Sequence, residues 1–173
     1  MSNLGQNQNQ TFQTPMLAQV TFDPQPGVIP AQIDPASVAT VIVAGCAVKL
    51  VAKAGPNVVV DVTTSSSDGP VYGIIPYNLR KNVYVAGDPV EVCGRGSVLM
   101  LKSGGAVNRG DNLAVTNPSV ATDDPTVAAT TTVGDYVAGC ALGQAAGAGV
   151  LFKVQVAPGK ITASTAAAIG VTP

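Results

Sequence analysis

Turn-forming residues recur roughly every ten positions along most of this 173-residue chain, and no other feature restricts its folding more tightly. Gly55–Pro56–Asn57, Asp68–Gly69–Pro70, Gly87–Asp88–Pro89, Gly94–Arg95–Gly96, Gly104–Gly105, Asn117–Pro118 and Asp124–Pro125 each break regular structure. Between and around them lie short Val-rich runs: Ala47–Lys53, Asn57–Thr63, Val71–Ile75, Asn82–Val85, Val90–Cys93, Ser97–Lys102, Asn112–Val115, Asp135–Ala141 and Val150–Val156. Several alternate. Val48 and Leu50 face one way while Lys49 points the other, and Val90 and Val92 flank Glu91, so these strands have one wet face. Of ten acidic residues only Glu91 is Glu; the other nine are Asp, which favours turns and caps over helix interiors. The pattern predicts a mostly β chain of about nine or ten short strands, either an all-β sandwich or a compact small-barrel domain.

The runs echo one another. A Gly-x-x-apolar-x-apolar pattern recurs in the segments starting at Ala44, Ala86 and Arg109, each reading as a turn that feeds a strand. At a larger offset, the segment starting at Val71 resembles that starting at Tyr136, and each is followed by another strand, Val90–Val92 and Val154–Val156. Two related β lobes would leave this trace, and so would a small vocabulary of Val and Gly.

Residues 1–36 differ from the rest. Gln and Asn dominate at first, then Pro15, Pro24, Pro26, Pro30 and Pro35 follow, a density that neither a helix nor a central strand survives. This part reads as an extended arm; stretched out, ~30 residues reach up to ~100 Å. Phe12, Met16, Leu17, Val20, Phe22, Val28 and Ile29 lie along it, and a purely solvated tail has little use for such residues. They are the candidate protein contacts. Residues 37–157 form the expected β domain, and 158–173 a tail or edge strand.

Charged residues make up only 11% of the chain, so its wet faces must be dressed with Thr, Ser, Asn, Gln and Gly. Such a surface suits close packing in an assembly. The net charge is −1 and Lys and Arg cluster no further than Arg80–Lys81, whereas nucleic-acid binding asks for a basic stripe. No apolar stretch approaches the ~20 residues of a membrane span. The first basic residue is Lys49, so the amino terminus lacks the charged start of a secretory signal, and synthesis without export is expected.

No His is present, which removes Ser-His-Asp and Cys-His arrangements and the commonest metal ligand. The Gly-rich stretches match neither the dinucleotide fingerprint nor the phosphate-binding loop. Asp123 and Asp124 read as turn residues, and Arg109–Gly110–Asp111, though it spells an adhesion tripeptide, completes the turn-to-strand pattern. Asn9–Gln10–Thr11 fits a glycosylation sequon that stays unmodified without secretion. Cys46, Cys93 and Cys140 are too far apart for a zinc site and read as small buried hydrophobes. The expectation is a non-enzyme with no cofactor, metal or small-molecule substrate.

The proline-bearing arm, then Val41–Ile75, then the segments starting at Ala86 and Arg109, resemble the capsid decoration, or cement, proteins of tailed bacteriophages, of the β-tulip type. The resemblance spans about Val41 to Val156 and is one of turns and strands, without a catalytic residue. It implies a homotrimer on the outer surface of the head, made in the bacterial host cytoplasm, whose partner is the major capsid protein. Phe12, Met16, Leu17, Val20 and Phe22 would then be arm contacts. Another virion component, such as a tail or fibre base, would share the composition. So would a surface adhesion or carbohydrate-binding module, which would need exposed aromatics where only Tyr72, Tyr77, Tyr84 and Tyr136 are on offer.

Overall fold

The computed structural model describes residues 27–39, 41–78, 80–118 and 124–162. Within them every regular element is a strand: β1 (Val28–Ile33), β2 (Ile42–Val43), β3 (Ala47–Leu50), β4 (Val59–Val62), β5 (Val71–Ile74), β6 (Val83–Tyr84), β7 (Pro89–Cys93), β8 (Val98–Ser103), β9 (Asn112–Asn117), β10 (Thr126–Ala129), β11 (Tyr136–Ala141) and β12 (Leu151–Lys160). The chain is all-β here, with twelve strands where the turn spacing suggests nine or ten.

These strands close two barrels, one from β1, β3, β4, β5 and β7, the other from β8, β9, β10, β11 and β12. Counted in chain order within each, the ring runs first, third, second, fourth, fifth and back to first. Only the first–third pair is parallel, β1 with β4 and β8 with β10. Backbone hydrogen bonds repeat in step: Thr63 N–H to Ala47 O matches Thr130 N–H to Asn112 O, and Asp34 N–H to Val60 O matches Gly104 N–H to Val127 O. Gly87 N–H to Ile33 O likewise matches Gly149 N–H to Ser103 O. The internal echo is therefore structural, and the chain is a tandem pair of equivalent five-strand lobes. The short sheet of β2 and β6, which pairs Ile42 with Tyr84 in the first lobe, has its counterpart in the single bridge between Val107 and Ala145.

One turn explains the recurring Gly pattern. In 43–46, 85–88, 94–97, 108–111 and 132–135 the fourth residue's N–H donates to the first residue's carbonyl, and the third residue is a glycine with positive φ. That conformation is open to Gly and strained for other residues. Each such turn delivers the chain straight into β3, β7, β8, β9 or β11.

Small aliphatic side chains fill both barrels. Ile33, Val48, Val60, Val62, Val90 and Val92 pack together in the first; Leu99, Leu101, Leu113, Val127, Phe152 and Val154 pack in the second. Full burial of such a side chain contributes ~1.5–3 kcal/mol. The lobes join through Ala47, Val71, Ile74 and Cys93, which belong to the same cluster as the second barrel's core. The equivalent positions of the second lobe diverge: Cys140, which pairs with Asn112 and Gln155, stands where Ile74 pairs with Ala47 and Cys93. Asn112 and Gln155 are exposed. One copy of this face is apolar and covered, the other polar and wet.

The body begins earlier than composition suggests. Val28–Ile33, inside the proline-bearing stretch, is a barrel strand with five residue pairs to β7. Pro30 is tolerated because backbone groups alternate sides along a strand: Gln32 N–H reaches Val58 O, so the Pro30 nitrogen faces the same way, where the β1/β4 ladder has already ended. At the other end β12 runs to Lys160, past the expected limit at 157.

Candidate interaction surface

Of the candidate contacts, Phe12, Met16, Leu17, Val20 and Phe22 lie outside the described residues. Val28 and Ile29 are in β1 and half-buried, with Val28 packed against the second barrel's cluster. They stand at the start of the body, beside two open clefts.

The first cleft follows the seam where β1 and β4 diverge. It encloses about 500 Å³ between Ile29, Pro30 and Ala31 of β1, Pro56 and Val58 ahead of β4, and Pro89 of β7. β1 and β4 share only the pairs Gln32–Val59 and Ile33–Val60, so beyond Gln32 the strands separate and the barrel gapes. The lining is mostly apolar, with Gln32 and Asn57 its polar members, and three of the eight residues are prolines, which supply shape without N–H groups.

The second cleft, about 290 Å³, lies across β1, with Asn78, Lys81, Tyr84, Val90 and Glu91 among its walls. Here charge is held in place. Lys81 Nζ sits 2.8 Å from Asp88 Oδ2 and 5.5 Å from the centre of the Tyr84 ring. The Lys81 hydrogen bond, with one from Val85 N–H, holds the Asp88 carboxyl below the usual carboxylate value. Burial pushes the Tyr84 phenol above its ordinary value, with Glu91 and Asp88 adding to the effect, and its O–H donates to Lys81 O at 2.8 Å. These groups satisfy one another and build a wall.

The remaining sequence candidates are structural. Arg109 Nε donates to Leu142 O at 3.1 Å and Asp111 accepts from Asn108 N–H at 2.8 Å, so Arg109–Gly110–Asp111 is folded into its turn. Asp124 pairs with Lys102 at 2.9 Å, and Asp123 lies outside the described residues. None of the three cysteines is in a disulfide; Cys46 and Cys93 are buried and Cys140 half-buried. Burial pushes the Cys93 thiol up to about 11, against a lowering hydrogen bond from Ser97. Among the described residues no three His, Cys, Asp or Glu side chains converge as metal ligands, and no helix is long and apolar enough to cross a membrane.

Sequence reasoning passed over the seam residues Pro56 and Val58. The signal that finds them is the correspondence of Asn57–Val60 with Asp124–Val127 in the second lobe, a likeness too faint to read without the strand register.

No protein-family model matches this chain. No curated protein matches it either. Among solved structures, the N-terminal base of the head fibre gp8.5 of bacteriophage phi29 aligns with 77% of this chain and 95% of that one, at 17% identity and a TM-score of 0.46.

Proposed function

We propose that this chain is a non-enzymatic structural protein of a tailed-bacteriophage virion: a decoration, or cement, protein on the outside of the head that staples neighbouring major capsid proteins. The observation that supports this most is the low charge of its surface. Apolar side chains scattered over a surface are ordinary, but here Val38, Leu50, Val83, Val85, Val133, Leu142 and Val150 stand exposed on a chain only 11% charged. A surface of that kind is suited to being covered by other proteins. The body is β-rich, and an apolar-studded leading segment precedes it.

The mechanism is physical. A trimer that touches several capsid subunits gains avidity, because each further contact forms at high effective concentration once the first is made. The leading segment adds to this by pairing with strand edges, where main-chain bonds give affinity and alternate side chains give fit. With few charges involved, attachment rests on buried apolar area and changes little with salt.

Electron microscopy of virions carrying a labelled copy tests the location. Label spread over the head lattice is the expected result. Label confined to a tail or fibre base would replace the decoration reading with that of another virion component, and unlabelled virions would remove both.

A further inference from the structure

We infer that the seam beside β1 receives Met16–Phe22 of a second copy of this chain as an extended segment, held chiefly by its apolar side chains. This rests on the reading of the leading segment as an arm, and it names the surface that the arm grips.

The tandem lobes act as an internal control. In the second barrel the strand equivalent to β1 is covered: Val98, Leu99, Met100 and Leu101 are all buried. Their counterparts in the first, by pairing against β7 and β12, are Val28, Ile29, Pro30 and Ala31. Three of these are half-buried and Pro30 is exposed. The seams differ as well. In the second lobe Lys102 and Asp124 bridge it with an ion pair. In the first, Gln32 stands in the place of Lys102, and its Nε2 donates to Gly87 O at 3.0 Å, on the side of β7 and away from the seam. The first lobe thus keeps a partly exposed, mostly apolar strand beside an open cleft, where the second has a buried strand and an ion pair across the seam.

The segment ahead of the body has the pattern that such a cleft takes. Met16, Ala18, Val20 and Phe22 alternate with Leu17, Gln19, Thr21 and Asp23, giving one apolar face and one mostly polar face at strand period. Seven residues of strand span ~23 Å, enough to run the length of β1. The connector decides whose seam is filled. Pro24 and Pro26 restrict φ, and a proline disfavours the helical region for the residue before it, here Asp23 and Gln25, so the sequence favours an extended connector. A tight hairpin back onto the chain's own β1 needs the reverse. An extended connector carries the segment outward, and exchange of an identical element between copies is a low-cost route to association. Twenty-six residues precede Gly27, so the chain has length to spare.

The test uses full-length protein in a Cys140→Ser background, which removes the one half-exposed thiol. Val20→Cys and Asn57→Cys variants carrying different tags are co-expressed, purified through both tags and oxidised. A disulfide-linked pair of differently tagged chains, with the 20–57 linkage found by mass spectrometry, is the expected result. A chain carrying both substitutions, diluted into excess unsubstituted protein, should give no intrachain link; such a link would place the segment in its own seam and overturn the inference. Absence of any 20–57 linkage in variants that melt normally would also overturn it. As a second measure, Val20→Asp with Phe22→Asp should lower the mass seen by light scattering, whereas an unchanged mass contradicts the exchange. No virus particle is needed, so failure here is separate from failure of the attachment reading.

Discussion

Gly73 and Gly139 hold the same place in the two barrels, each pressed against the neighbouring strand. A Cβ at Gly73 would come within 2.5 Å of both Cys93 O and Val92 Cγ1; one at Gly139 would meet Gln155 O at 2.5 Å and Val154 Cγ1 at 2.8 Å. Backbone oxygens cannot step aside as a flexible side chain can, so any side chain here forces the fourth and fifth strands of its barrel apart.

Gly73→Ala and Gly139→Ala should therefore each destabilise the fold by ~1–3 kcal/mol, the usual cost of overpacking. Gly105→Ala and Gly147→Ala, where a Cβ meets nothing within 4 Å, serve as controls and should stay within ~0.5 kcal/mol of the parent. Denaturant titration measures all four. Equal effects at all four sites would contradict the close-approach account.

Where the body begins can be tested by truncation. A chain starting at Gly27 keeps β1 and should unfold as cooperatively as the full chain. One starting at Ser37 loses β1, its five pairs with β7 and the fully buried Ile33, and the first barrel should fail to close. Circular dichroism melts of the two distinguish them; two identical melts would show that β1 is dispensable.

Thiol chemistry should separate the cysteines. At pH 8 a thiol titrating at about 11 is only about one part in a thousand thiolate, and Cys93 is buried besides. An aromatic disulfide reagent should label Cys140 first, with Cys46 and Cys93 reacting only on unfolding. Three thiols reacting together in the native protein would contradict the packing described.

Acid should weaken the fold through its turn aspartates. Hydrogen bonds from Lys53 and Ala36 N–H hold the Asp34 carboxyl below its ordinary value, and those from Lys81 and Val85 N–H do the same for Asp88. At Asp68 burial opposes the shift, but Lys49, at 2.5 Å, and Thr64 outweigh it. A carboxyl lowered in the folded state stabilises above its unfolded value of ~3.9, and that contribution is lost as pH falls through the folded value. Melting temperature should thus be level from pH 7 to ~5 and fall below ~4, less steeply in Asp88→Asn. An unaltered slope in that variant would show that Asp88 contributes nothing to the acid response.

Much of this fold is legible in the residues. Nine of the twelve strands fall on the Val-rich runs between turn signals, because a Gly at the third turn position and the alternation around Lys49 and Glu91 are both local. The three that were missed depend on distant partners. β1 carries Pro30, which only the lapse of the β1/β4 ladder permits; β2 is two residues long and exists through Tyr84 and Val83; β10 is held by Lys102 and Ser103 on one side and β9 on the other. The lobes' equivalence was faint because paired positions keep geometry and not identity, as Ile74 against Cys140 illustrates. The seam was hidden for the same reason, since Asn57 and Asp124 share a place without sharing a side chain.

Attachment to phage heads tests the central claim most directly. Purified full-length protein and a chain starting at Gly27 are each mixed with undecorated heads, and the heads are sedimented in low and moderate NaCl. Saturable binding of the full-length chain at both salt concentrations, with loss or marked weakening in the shortened one, is the predicted result. No binding by either, or equal binding by both, would contradict it.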